Sequence, residues 1–402
     1  RKVHRITGRD PAELSAQEKL TVLPPPGLTA EMIPDVVSRL SPEQIEIMSS
    51  NPPQVGNFFP NGLFEFIYLP TADGKVTGAI FETKDGMKQI NAKNTLLATG
   101  GYAANPVMMT ALQPSAVACC TASSFNPTCT GDGIKAGLWA GASKDKDAAP
   151  MVFDRGAVAP GVDAGYEGEG EGAMFRGSIF QENIGSQPFM KVNRHGQRFA
   201  NESTPYDFIC FAATYQPGGV WCQVYDSNMM DDMLRFETVG CSRVVPYIEM
   251  GMTYDEYTAA SQEAGILMKA DTIEELADML GFTGQDKDNF LAEVERYNGF
   301  YDNQVDEDFG KEAYRLSAIR QPPFYGCWFG GSLLTTIDGL RINENCQVLD
   351  PELNVIEGLY AAGDVSGSFF SGNYPEYVVG VACGRSSVEG RHVAKLLAGA
   401  AQ

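Results

Sequence analysis

Along the first 56 residues the apolar and polar positions are irregular. Pro24-Pro25-Pro26-Gly27 must be a loop, since proline fixes φ and has no N–H to donate. Ser41-Pro42-Glu43-Gln44 reads as a capping box with proline at the first helical position, opening a short helix. From residue 63 to 98 the pattern predicts β-strands. Leu63 to Tyr68 is rich in aromatic and branched side chains, and Val76 to Phe81 follows the turn signal Asp73-Gly74. A second turn signal, Asp85-Gly86, precedes strands around Ile90 and at Thr95-Leu96-Leu97-Ala98. Beyond Gly101 the pattern is mixed. It predicts a helix at Gly133–Ala140 and small strands at 189–193 and 219–225. Thr272-Ile273-Glu274-Glu275 is a second capping box, starting an amphipathic helix through Met279, and Asp288–Tyr297 is a further helix. The tail returns to strand at Gly358–Ala362 and helix at Ser386–Leu397.

Composition narrows the classes of function. A chain of 402 residues suggests two or three domains. The net charge of -21 would repel nucleic acid and an anionic membrane surface, so neither is expected as a partner. Nine cysteines are scattered with no C-x-x-C spacing, which predicts neither a zinc ribbon nor attached haem, and no metal site. No apolar run reaches the length of a transmembrane helix. No signal peptide is visible, but the chain opens on Arg1 rather than Met, so an upstream segment is expected and the compartment stays open, cytoplasmic or exported.

Four separated segments carry candidate chemistry. In Leu96-Leu97-Ala98-Thr99-Gly100-Gly101 a buried strand ends in small residues, so its backbone can approach a ligand closely. In Thr130-Gly131-Asp132-Gly133-Ile134 a tight turn opens a helix whose free N–H groups suit an anion; an ordinary Asp-capped helix is the plainer reading. In Val192-Asn193-Arg194-His195-Gly196 through Glu202 a strand runs into a polar turn, where His195 reads as a solvated turn residue. In Gly358-Leu359-Tyr360-Ala361-Ala362-Gly363-Asp364 an acidic residue ends a buried strand and suits hydrogen bonds to sugar or ribityl hydroxyls; a simple cap is the alternative. A helix starting nearby would point its positive end at an anionic ligand.

In this order the segments resemble the flavoproteins of the fumarate reductase/succinate dehydrogenase-like family, including their 3-ketosteroid dehydrogenase relatives. The resemblance implies an α/β, Rossmann-like flavin-binding domain over 1–146 and 331–402, with an inserted α+β capping domain over 147–330. It implies FAD as cofactor, held without a covalent bond, at Ala98, Thr99, Gly100, Gly101, Asp132, Gly363 and Asp364. The family's glycine-rich opening, G-x-G-x-x-G, does not occur in these residues, so the flavin domain is expected to be incomplete at its N-terminus.

The dicarboxylate reductases of the family clamp their substrate with two histidines and two arginines. Offsets from the matched motifs put those places at Phe153, Tyr206, Thr335 and Tyr374, with Tyr377 close by. None of these side chains is cationic, and a dianion desolvated without cationic partners is costly. The resemblance therefore implies a bacterial oxidoreductase of activated C=C bonds, in an enone or an arylacrylate, with Tyr206 and Tyr374 as catalytic groups and Phe153, Thr335 and Tyr377 lining the substrate. Its partners are expected to be a small-molecule substrate and an electron donor protein or domain. Two alternatives stand beside it: a remnant without cofactor that serves as a binding scaffold, and a fumarate-type reductase.

Overall fold

The computed structural model describes residues 65–83, 85–123, 127–177, 183–238 and 251–399. The predicted loop at 24–27, the helix opened at 41–44, residues 63–64 of the first predicted strand, and Cys241 lie outside them. The architecture is mixed α/β.

Glu65–Tyr68, Gly78–Thr83 and Gly86–Asn91 form a three-stranded antiparallel sheet. Between its first two strands in the chain, Thr71–Ala72 and Lys75–Val76 make a separate small hairpin. Its turn residues Asp73 and Gly74 have φ of 51° and 76°, and a two-residue turn with both φ positive matches the twist of the strands it joins.

The largest sheet is organised by one strand that alternation does not reveal. Phe324–Thr336 is thirteen residues long and its first ten are buried. A strand buried on both faces reads as a continuous apolar run. Its first half pairs antiparallel with Trp221–Tyr225 and with Leu267–Ala270. Its second half pairs antiparallel with Pro150–Val158 and parallel with Cys120–Ser123. Met190–Val192 extends the sheet beyond Trp221–Tyr225.

Helices Ile273–Met279 and Gly284–Asn303 cover this sheet. Thr272 accepts from the Glu275 N–H at 3.2 Å, one of the two bonds of the predicted capping box. The second helix runs well past the predicted 288–297. Leu276, Phe290, Val294 and Tyr297 point inward against Val224 and Trp328, and Phe282 stacks on Phe290 at 4.7 Å. Each such buried side chain stabilises by roughly 1.5–3 kcal/mol.

The polar run after Met190–Val192 is ordered by buried charge. The Arg198 guanidinium donates to both Glu202 oxygens at 2.8 and 2.9 Å and to both Asp306 oxygens at 3.0 and 2.8 Å. Lys311 stands 3.4 Å from Glu202 and donates to the Tyr297 hydroxyl at 2.6 Å. Burial pushes Lys311 down to about 8, against the pull of Glu202. Burial alone would raise the Asp306 carboxyl, but its bonds to Arg198 hold it below its ordinary value. His195 is solvated in its turn, with Nδ1 3.0 Å from Asp286.

Candidate functional site

Thr95–Leu97 and Val355–Ala361 lie parallel and adjacent, with Leu359 opposite Thr95 and Ala361 opposite Leu97. The Ala362 N–H continues the ladder to the Leu97 carbonyl at 3.0 Å. Parallel strands end at the same edge, so 98–101 and 362–364 emerge side by side. Carboxyl ends of parallel strands are where α/β sheets take ligands. Ala98 and Thr99 are exposed and Gly100 is half-buried. Gly100 and Gly363 have φ of 73° and 76°, the left-handed conformation that favours glycine.

The second motif packs onto the first. The Gly131 N–H donates to the Gly101 carbonyl at 3.1 Å. A Cβ on Gly133 would come within 2.0 Å of Thr99 Oγ1, so only glycine allows this approach. The helix is Asp132–Trp139, and its N-cap is Gly131 rather than Asp132. Asp132 stands in the first turn, accepts from Thr130 at 2.6 Å, and is 3.6 Å from Lys135. Burial raises its carboxyl.

Asp364 is half-buried and accepts from Thr335 Oγ1 at 2.9 Å. Thr335, predicted to line the substrate, thus also ties the long strand to the acidic strand end. Burial raises the Asp364 carboxyl, with Thr335 and Arg385 pulling it back. The Cys129 thiol is raised by burial and then by Asp364. Helix Val381–Leu397 supplies Arg385 and a group that sequence reasoning missed, Glu389. Glu389 accepts from the Gly363 N–H at 2.8 Å. Arg385 donates to Glu389 and to the Ser366 carbonyl, each at 2.8 Å. Together they fix the bend that carries Asp364. The same helix has no side-chain cap, so its first N–H groups are not taken up by an N-cap side chain.

Phe153, Tyr206 and Tyr374 meet in one buried apolar cluster with Met151, Ile337 and Phe370. The rings of Phe153 and Tyr206 are 4.8 Å apart. The Tyr374 hydroxyl donates to the Val378 carbonyl at 3.4 Å. Val381 and Ala382, at the start of the last helix, pack against this cluster. Tyr377 is 69% exposed and lies outside it. The structure therefore brings together three of the predicted substrate-side residues and joins a fourth, Thr335, to Asp364.

Acidic groups surround the cluster. Glu376 accepts from the Tyr206 backbone N–H; burial, with Asp154 and Asp207 adding, pushes its carboxyl up to about 7. Burial pushes Asp207 up to about 6. Asp154 is raised by burial and held back by Lys191, Ser186 and Arg155.

Comparison with known proteins identifies the family. A family model described as FAD binding domain matches residues 64–377. The chain is 30% identical over 337 residues to the vinyl phenol reductase of Lactiplantibacillus plantarum, covering 80% of this chain and 65% of that one. It is 30% identical over 309 residues to the NADH:acrylate oxidoreductase of Vibrio harveyi, covering 76% of this chain and 27% of that one. In fold it resembles the 3-ketosteroid delta1-dehydrogenase from Sterolibacterium denitrificans, with a TM-score of 0.61 and 23% identity over 84% of this chain and 59% of that one. The chain thus spans less than two thirds of the length of each of these relatives.

Proposed function

Because this chain belongs to the FAD-binding flavoproteins of the fumarate reductase/succinate dehydrogenase-like family, we propose that it forms part of an oxidoreductase for an activated C=C bond in an enone or an arylacrylate. The observation that carries this reading is the shared cluster of Phe153, Tyr206 and Tyr374, against which Leu334 packs on the long strand, next to the Thr335 that donates to Asp364. A phenol hydrogen-bonds a carbonyl oxygen, and its ring packs against a flat apolar substrate. The two relatives, a vinyl phenol reductase and an acrylate oxidoreductase, support the same bond type.

The residues present fit FAD. Asp364 is a half-buried acceptor at a strand end, Gly100 and Gly363 bend the backbone there, and the last helix begins beside it. Asp364 would hold a ribityl hydroxyl, with Ala98 to Gly101 against the ring system. When bound, FAD supplies the hydride chemistry. Tyr206 gives the proton to the carbon next to the one that gains hydride. Tyr374 orients the carbonyl oxygen, and Phe153 keeps water from the bond. We place the flavin-binding domain at 1–146 and 331–402, with 147–330 capping it, so the site lies between them. An electron donor protein or domain completes the cycle.

Turnover with reduced viologen as donor tests this on the full-length protein. We expect reduction of an arylacrylate or enone and little of fumarate. Tyr206→Phe should lower the rate by roughly 10²–10⁴-fold, the usual contribution of a general acid. Efficient fumarate reduction by the wild type would return the protein to the dicarboxylate class. A protein that takes up no FAD would make it a scaffold.

A further inference from the structure

Strand Pro150–Val158 carries a cation that the proposed reaction does not yet use. Its pairing with the long strand slips between Gly156 opposite Gly330 and Phe153 opposite Ser332, so Asp154 and Arg155 together face Gly331 alone. A bulge of this kind breaks the alternation of side chains and re-aims them, and bulges gather beside active sites. The Arg155 guanidinium lies over the Phe153 ring, 4.8 Å from its centroid. Phe153 in turn touches Tyr206. Cation, apolar ring and phenol are therefore in successive contact.

The cation is fixed in place. Arg155 Nε donates to Ser186 Oγ at 2.9 Å, and the Ser186 hydroxyl donates to Asp154. Arg155 is 9% exposed. Its Nη2 is buried and, among the described residues, has no hydrogen-bond partner. A charged donor out of water and without an acceptor is expensive, and the ring face of Phe153 offsets only part of that cost. A carboxylate is the acceptor whose geometry suits a guanidinium fork.

We propose that Arg155 anchors the carboxylate of a monoanionic substrate, which makes the substrate class an arylacrylate rather than a neutral enone. This rests on reading the Phe153–Tyr206–Tyr374 cluster as the place of the C=C bond. One anionic group is what the surroundings accept. Asp154 already shares the charge of Arg155 through Ser186, and Asp207 and Glu376 add acidic groups nearby. A second carboxylate on the substrate would add to the acidic charge of Asp154, Asp207 and Glu376.

Cinnamate and its methyl ester present the same C=C bond with and without the charge. The full-length holoenzyme should favour cinnamate by at least about tenfold in kcat/KM. In Arg155→Gln the acid-to-ester ratio should fall by about 10–100-fold, mainly through KM for the acid, as loss of a hydrogen bond to a charged group predicts. Arg155→Lys should restore part of the ratio, and it stands in if the glutamine variant does not fold. Equal turnover of acid and ester by the wild type, or an unchanged ratio in both variants, overturns the assignment. If neither compound is reduced, the reaction proposed above falls instead. The anchor is then decided by cinnamate binding, read as a change in the flavin spectrum. A Kd unchanged by Arg155→Gln would overturn it.

Discussion

Asp364 is held between two demands: burial raises its carboxyl, and the Thr335 hydroxyl stabilises the ionised form. A ligand hydroxyl donating to the same carboxylate would act in the same sense as Thr335. Asp364→Ala should therefore weaken FAD binding by about 10–100-fold while leaving the melting temperature within a few degrees, since a hydrogen bond to a charged group contributes roughly 1.5–3 kcal/mol. A lower melting temperature with unchanged affinity would show a cap and nothing more. Glu389 tests the support behind it. Glu389→Ala strips an acceptor from the Gly363 N–H and from Arg385, and should cost about 1–3 kcal/mol in urea unfolding. The place of Asp364 at a strand end was legible in the sequence, because an acid after a strand and a glycine is a local signal. Glu389 and Arg155 were not. Glu389 acts on a residue 26 positions earlier in the chain. Arg155 owes its aim to a bulge set by the partner strand.

At the scale of elements, the Arg198–Glu202–Asp306–Lys311 cluster joins a turn to the segment after helix Gly284–Asn303. Its side chains are fully buried, and a partly exposed Asp308 stands 3.8 Å from Arg198 at its edge. Glu202→Gln would leave Arg198 and Lys311 with too little negative charge. Removing one partner of a buried pair costs about 3–5 kcal/mol, so the urea midpoint should drop with the slope unchanged. A midpoint within error of the wild type would mean that water reaches these charges. Hairpin turns and caps were readable, because Asp73-Gly74 and Thr272 act through their immediate neighbours. The thirteen-residue strand was not. Gly326, Gly330 and Gly331 interrupt its apolar run, and burial on both faces removes the alternation by which strands are recognised. Helix Tyr254–Glu263 was also missed, although Thr253 and Glu256 form its reciprocal capping box.

For the molecule as a whole, the buried acids set the response to pH. Asp207 is raised from 3.8 to about 6 and Glu376 from 4.5 to about 7. Both bind protons more tightly folded than unfolded. Their stabilising contribution is complete below the unfolded values and is lost as pH rises through the folded ones. The groups acting on Glu376 are Asp154, Asp207, the Tyr206 N–H and Arg315. The melting temperature should therefore fall between roughly pH 4 and 7, and Asp207→Asn with Glu376→Gln should flatten that fall. A profile with the same slope in the double variant would assign it to other acids. A net charge of -21 opposes compactness in the same range. The long strand gives the molecule a further property. Thirteen residues of extended chain make a beam of about 40 Å. Its two halves are gripped by different partners, so a load applied at one end reaches the other through covalent backbone rather than through a loop. Twisting one end against the other is torsion of a single ribbon. Stretched between residues 190 and 336 in a force spectrometer, the two halves of this sheet should yield in one event rather than two.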